Sequence, residues 1–431
     1  MHCSSMTSKD KRIVERDVAT LFSSRAFLAT PTFEEIWRLG PFPPQVEYKG
    51  NIIYLSEEGI NAASRLVKLI SRLPKLVDFV SEREIDAQVQ ESHIYWLEGN
   101  LQPTGAEFLD RVVDSLLGQI RKYEYLVKLE GIELTGQNTF KLGTAYIQSG
   151  DLNILKDVKF SSQLEAQEIN LQIREGLWLL LPSSGDGYRA DQEFEYRAIL
   201  TVGILAAFGA ILHDGTTISR CRISALTSPL ENRKAVSWLR WEVGGENLRL
   251  SRVWGQEQDL PFTSDSIAYL NTECFLEQLA ALPDRDERNE LENAIVLALY
   301  WFAEANRDRN PVAQLVKLWT CAECFFAIEK DKVSEQNAAG ISATLTFGDF
   351  RIIDPKDYKK FRARVKKMYD LRSKAIHEGL NTHVTNGDLH DLSKWVAWVI
   401  ISMTALSTKG ITTLRQVKQN TARLDGLSTE Q

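Results

Sequence analysis

The feature that most constrains this chain is a change of hydrophobic period near Asp284. Up to that point, alternating stretches that suit strands are interleaved with helical ones. Beyond it, strand signals vanish and apolar residues recur every three or four positions to about residue 407. Leu291, Ile295, Ala298, Leu299 and Phe302 form one such stripe, which predicts a first helix over about 288–306. Asn310 followed by Pro311 is favoured start chemistry for a second helix, which is expected to run to about 330. An Asn side chain accepts a free backbone N–H there, and proline has none to lose. Residues 331–355, with Gly340, Gly348 and Pro355, read as a connection. A third helix is expected over 356–378, stopped by Gly379, and a fourth over about 388–407 after a cap at Asn386. Four amphipathic helices with mostly short connections predict a bundle.

Upstream, the pattern is mixed. The first 118 residues carry helical patterns such as Ala62 to Phe79, punctuated by Pro41, Pro43 and Pro44. From about 121 the period becomes that of strands: Tyr123 to Leu129 alternates, Gly131 breaks the run, and Phe140 to Ile147 resumes it. Ser183-Ser-Gly-Asp-Gly187 reads as a turn; without a Gly-Lys-Ser/Thr element it is not a phosphate loop. A helix is expected over 191–212, then strands at Thr217 to Ser224, Val236 to Val243 and Asn247 to Trp254. At 431 residues the chain is too long for one average core. The expected organisation is a multidomain α+β protein. It comprises a mainly helical region over 1–118, an α+β region with β-ribbon over 119–284, an all-α four-helix bundle over 285–408, and a C-terminal tail over 409–431.

Composition narrows the function classes. With 44% hydrophobic and 25% charged residues, nothing suggests wholesale disorder. A net charge of −7 argues against a protein that coats nucleic acid over its entire surface, yet leaves room for a local basic site. Five scattered cysteines without framework spacing fit a reducing compartment, so a cytoplasmic location is expected. The N-terminal stretch has cations but no apolar core behind them, so no secretory signal is expected. The apolar run Ile199 to Leu212 is short of the roughly 20 residues that span a bilayer and reads as a buried helix, not a membrane segment.

The third helix of the bundle concentrates positive charge. Lys356, Lys359, Lys360, Arg362, Arg364, Lys366, Lys367, Arg372 and Lys374 face only Asp357 and Asp370 in the same span. Such a run suits a phosphate backbone, because each neutralised phosphate releases counterions; it equally suits a solvated helix face. The apolar stripe reads Phe361, Val365, Met368, then Arg372, then Ala375 and Ile376, so an arginine stands where the pattern asks for a core residue. That is costly unless the arginine is paired or faces a cleft or interface. Tyr369, Ser373 and His377 share a neighbouring face at four-residue spacing. Arg372 and His377 are themselves about 140° apart around the helix. The Arg-x4-His spacing alone carries little.

Its setting carries more. The segment Met368-Tyr-Asp-Leu-Arg-Ser-Lys-Ala-Ile-His-Glu-Gly379, at the end of the third of four helices, resembles the HEPN superfamily. It is most similar to the Apea-like branch, whose signature is a tyrosine, then Arg-Ser, then an apolar residue before His and Gly. Leu318-Trp319 followed by Glu323 on the second helix is similar to that branch too. The resemblance covers about 285–408 and implies a metal-independent endoribonuclease without cofactors, dimeric through the helical bundle, with RNA as partner. On that resemblance, His377 would deprotonate the ribose 2′-hydroxyl and Arg372 would stabilise charge on the phosphorane. Tyr369, Ser373 and Glu323 would support the pair, and Arg364, Lys366, Lys367 and Lys374 would hold RNA phosphates. Histidine suits general-base work near neutral pH, and arginine supplies a permanent bidentate grip on phosphate. Many active members carry Asn, Asp or His directly after the arginine, where this chain has Ser373.

Other chemistry-bearing residues read more plainly. Cys321-Ala-Glu-Cys324 lies in an apolar helical run with no second pair for zinc. His383 and His390 lack a carboxylate at ligand spacing and read as surface residues, whereas His93 and His213 read as structural. Glu323 either orients the basic pair or is simply solvated. Two function classes follow: an RNase effector of a prokaryotic anti-phage defence or toxin-like system, with a trigger ligand or protein bound by the N-terminal region; and a non-catalytic dimerisation or nucleotide-binding module.

Overall fold

The computed structural model describes the chain except residues 1–5, 29–30, 40–44, 49–50, 151–161, 165–166, 168–172, 174–175, 213–222, 226–234, 242–247, 255–258, 309, 328–331, 379–383 and 427–431. For 46–48, 51, 224, 235–241, 248–254 and 377–378 it describes the backbone alone. By compactness the chain falls into two units, residues 1–124 with 182–194, and residues 125–181 with 195–431.

The first unit is mainly helical. It contains α1 (Ser8–Leu21), α2 (Phe33–Arg38), the hairpin β1 (Gln45–Tyr48) and β2 (Asn51–Tyr54), α3 (Glu57–Ile70), α4 (Glu82–Glu98) and α5 (Gly105–Gln119). Val14, Val18 and Leu21 of α1 meet Ala62, Leu66 and Ile70 of α3 and Phe108, Val112 and Leu116 of α5 in one core. Their spacing puts each set on one helical face. Helix starts are set by side-chain caps, with Thr7, Ser56, Ser81 and Thr104 each accepting a backbone N–H of the first turn. His93 of α4 is buried in this core, its Nε2 2.9 Å from the Leu21 carbonyl, its ring stacked on Phe27 and edge-on to Phe22. Burial holds it neutral, pushing its pKa down to about 4 despite that hydrogen bond.

The Ser183–Gly187 stretch is not the simple turn expected. Strand β7 (Leu177–Gly185) runs into it, and α6 (Gly187–Leu212) begins directly after. Buried Asp186 joins them: its carboxylate accepts from the Arg189 N–H at 2.6 Å, and from the Ser81 N–H and hydroxyl at 2.7 and 2.8 Å. The helix expected from 191 therefore starts four residues earlier.

The second unit is α+β. Its sheet has the order β5-β6-β7-β3-β8, where β3 is Arg121–Glu130, β5 Thr139–Leu142, β6 Ala145–Ser149 and β8 Ser224–Ala225. Strands β5 and β6 pair antiparallel with Phe140 opposite Ile147, and Ile147 faces Leu179 of β7, so one face of alternating residues is buried. The two-residue turn Gly143-Thr144 needs φ +62° at its first position, which glycine supplies without strain. Strand β4 (Ile132–Thr135) pairs in parallel with β11 (Leu260–Thr263), and β9 (Ala235–Trp241) with β10 (Leu248–Trp254) forms a hairpin close to the expected strands. The strand expected at Thr217 to Ser224 lies almost wholly outside the described residues.

Helices α7 (Ser264–Glu273) and α8 (Leu276–Ala281) lead into the helical region: α9 (Glu290–Arg307), α10 (Pro311–Phe326), α11 (Val333–Phe347), α12 (Tyr358–Glu378), α13 (Asn386–Thr408) and α14 (Leu414–Gly426). Two expectations are corrected. Residues 331–355 are not merely a connection, because α11 occupies most of them and packs against α10, α12, α13 and α14. Nor is 409–431 simply a tail, because α14 buries Val417, Thr421 and Leu424 against α11 and α10. The break expected at 284 is also not a boundary between compact units. Asp284 accepts from the Thr144 N–H at 2.9 Å and hydroxyl at 2.8 Å and pairs with Arg197 of α6, while α8 packs on both β5 and α13.

Helix α6 is long and apolar enough to cross a membrane by length and composition; 61% of its most apolar window is buried, with Leu200, Leu205, Ala207 and Phe208 at 1% exposure or less. It is mostly a core helix in this fold, consistent with the reading of Ile199 to Leu212.

Candidate functional site

Helix α12 runs for 21 residues, and its apolar stripe lands as predicted on Phe361, Val365 and Met368, each at most 6% exposed, then on Ala375 at 5%. Ile376 departs from it: its side chain is 47% exposed. Between Met368 and Ala375, one turn from each, stands Arg372. It is neither sealed nor free, with 23% of its side chain exposed, and faces Glu323 of α10, which is 20% exposed.

These two residues and Tyr369 close a three-membered ring. The Tyr369 hydroxyl donates to Glu323 Oε1 at 3.0 Å. Arg372 Nη1 donates to the Tyr369 oxygen at 3.3 Å, and Nη2 lies 3.3 Å from Glu323 Oε1 and 3.4 Å from Oε2. The arrangement fits the sequence: Tyr369 and Arg372 are three apart and so neighbours on α12, and the α10–α12 packing brings Glu323 to them. Arg372 Cζ also lies 5.2 Å from the centre of the Tyr369 ring, which meets the fully buried Trp319 edge-on at 4.9 Å. Burial, then the Glu323 charge, raises the Tyr369 pKa, with Arg372 opposing, so the phenol stays a donor.

The ring leaves donors over. Arg372 Nε and Trp319 Nε1 are both buried and meet no acceptor among the described residues. An unsatisfied buried donor costs on the order of 1–3 kcal/mol, so an acceptor added beside this ion pair would gain by meeting either of them.

The other expected site residues divide into two groups. Arg364 pairs with Asp391 of α13 and lies over the Trp395 ring, and Lys366 pairs with Glu335 of α11. With Arg362 bound to Asp425 of α14 at 3.0 Å, these cations tie α12 to three neighbouring helices. An RNA phosphate would have to compete with those carboxylates. Lys367 and Lys374 are exposed, and Ser373 is half-buried beside Arg372. The backbone of His377 lies in the last turn of α12; its side chain, like the whole of His383 and His213, lies outside the described residues.

Cys321 and Cys324 stand one turn apart on α10, each donating its S–H to a carbonyl one turn back, at 3.2 Å. Burial holds both thiols protonated, raising Cys321 well above the usual range and Cys324 to about 12, so neither is a thiolate ligand or nucleophile. Among the described residues no group of three or more His, Cys, Asp or Glu side chains could hold a metal ion. His390, near the start of α13, is half-buried, not fully surface-exposed as expected.

Sequence reasoning missed two charge clusters. Asp17, Arg16 and Arg65 meet in the first unit, and Thr144, Arg197 and Asp284 in the second. Apart from the adjacent Arg16 and Asp17, their members are 48 or more residues apart in the chain, and no local pattern announces them. Compared with known protein families, characterised proteins and solved structures, the chain matches none.

Proposed function

We propose that the C-terminal helical region is a HEPN-type, metal-independent endoribonuclease of the Apea-like kind, with Arg372 and His377 as its catalytic pair. The observation that carries the reading is the Glu323–Tyr369–Arg372 ring. It holds a guanidinium at a core position of a strongly basic helix while leaving Arg372 Nε without an acceptor among the described residues. In this reading Glu323 and Tyr369 are positioning residues that fix the arginine plane before substrate arrives.

In the proposed reaction His377 takes the proton of a ribose 2′-hydroxyl, and the 2′-oxygen attacks the adjacent phosphorus. The P–O5′ bond breaks, the departing 5′-oxygen takes a proton, and a 2′,3′-cyclic phosphate remains. Arg372 neutralises the charge that develops on the non-bridging oxygens. DNA, lacking the 2′-hydroxyl, is not cut. The enzyme works as a homodimer through the bundle, in the cytoplasm, as an effector in anti-phage defence or a toxin-like system. The test is incubation of the protein with RNA in EDTA, beside Arg372→Ala and His377→Ala. Cleavage to cyclic-phosphate ends, lost in both variants, supports the reading; no cleavage, or cleavage that survives either substitution, overturns it.

One observation favours a second reading. Glu323 already matches the Arg372 charge within a single chain, as in a structural ion pair. In that reading the region is a non-catalytic dimerisation or nucleotide-binding module, and Arg372→Ala alters stability with no RNA-cleaving activity to lose.

A further inference from the structure

In the first unit, α1, the 3-10 turn Ser24–Ala26 and α3 border an open cleft of about 640 Å³. Three guanidiniums line it, from Arg16, Arg25 and Arg65, together with the polar side chains of Thr20, Ser23 and Asn61; Glu58 is the one acid in the lining among the described residues. Behind the wall lies Asp17, whose side chain is fully buried. It accepts from Arg16 Nε at 2.9 Å and from Arg65 Nε and Nη2 at 2.9 and 3.0 Å.

A buried carboxylate is costly unless it is paired and hydrogen-bonded. Here two are clamped to it. Burial alone would raise the Asp17 pKa, but its bonds to Arg65 and Arg16 prevail and hold it below the usual range, so the clamp is charged at neutral pH. The Arg65 fork is fixed by two bonds and keeps Nη1 free of Asp17, and Arg16 keeps both of its terminal nitrogens free of it. Arg25 adds a third guanidinium that takes no part in holding Asp17. Donors fixed in advance lose little freedom when they bind, which is what planar, multidentate recognition of phosphate needs.

We propose that this cleft binds a polyphosphate group, either free or carried by a small molecule of the size of a nucleoside triphosphate. The volume falls in the range typical of sites for whole small-molecule ligands and is far too large for one orthophosphate. Among the described residues no aromatic side chain lines the cleft, so the phosphates, and not a base, supply the recognition. The site is independent of the proposed RNA-cleaving residues and stands or falls without them.

The experiment uses the full chain at low salt, with inorganic tripolyphosphate, ATP and orthophosphate as probes, read by calorimetric titration and thermal shift. Tripolyphosphate is expected to bind and to raise the melting temperature, orthophosphate to bind at least about tenfold more weakly. Binding of ATP as well assigns a nucleotide source; tripolyphosphate alone assigns a free polyphosphate. Arg25→Gln, which leaves both Asp17 partners in place and so spares the fold, is expected to weaken binding by about tenfold or more, as loss of a charge-assisted contact does. Arg65→Gln should weaken it further. The proposal is overturned if tripolyphosphate does not bind the wild-type chain, if orthophosphate binds as tightly, or if Arg25→Gln binds tripolyphosphate as well as the wild type does.

Discussion

Acidification should destabilise the first unit through one residue, His93. Its ring is 2% exposed, donates through Nε2 to the Leu21 carbonyl and has phenylalanine on two sides, so protonation would put an uncompensated charge into the core. Its pKa is about 4 in the fold, against about 6.5 for an unperturbed histidine. Between those values the unfolded chain binds a proton that the folded one does not, so stability rises with pH. The contribution is complete above pH 6.5, is lost progressively as the pH falls towards 4, and changes no further below. The whole shift corresponds to about 3 kcal/mol, approached at a slope of at most roughly 1.4 kcal/mol per pH unit. Asp17, whose pKa is depressed, also weakens the fold in acid, so the histidine must be isolated by difference. His93→Gln keeps an N–H donor near the Nε2 position and cannot titrate. Urea denaturation of both proteins between pH 4 and 7.5 should give curves whose stability difference narrows by about 3 kcal/mol as the pH falls. A difference independent of pH would refute the argument from burial.

Other consequences are as direct. Gly340→Ala would place a Cβ 2.4 Å from Phe326 Cδ1, an overlap that should cost about 1–3 kcal/mol and exceed any gain in helix propensity; an unchanged or raised melting temperature would contradict the packing. At pH 8, Cys324, with its thiol pushed to about 12, should be alkylated by iodoacetamide roughly a thousandfold more slowly than an exposed cysteine, as measured by peptide mass spectrometry. Arg372→Ala leaves Glu323 with Tyr369 alone; since both ion-pair partners are about one-fifth exposed, the loss should be only about 1–2 kcal/mol, and a variant that fails to fold would show the arginine to be structural.

Much of the helical region could be read from the sequence because its helices are amphipathic or capped by recognisable residues. Helix α9 begins at Glu290 after the cap Asn289, α10 begins at Pro311, and α12 ends at Glu378, each within about two residues of expectation. Helix α11 escaped because it is buried nearly all round. Asn337, Ala338, Gly340, Ile341, Ser342, Ala343, Thr344, Leu345 and Thr346 are all inside, so no apolar face stands out from a polar one, and Gly340 looked like a breaker when it is there to admit Phe326. The cap of α13 falls one residue before the expected Asn386, and its start two before the expected Asp388, because Thr385, in a capping box with Asp388, outcompetes Asn386. At the candidate site, the sequence pointed to Arg372 as an arginine out of place and to Glu323 and Tyr369 as its companions. What it could not supply was that the three form one ring, because that depends on how α10 meets α12.

The most direct test of the account is the RNA assay carried out with end analysis. The wild-type chain, in EDTA, should convert RNA to fragments ending in 2′,3′-cyclic phosphate and leave DNA of the same sequence intact. Arg372→Ala and His377→Ala, shown by circular dichroism to be folded, should both be inactive. If the wild-type protein leaves RNA whole, or if either folded variant still cuts it, the basic helix and its arginine serve another purpose.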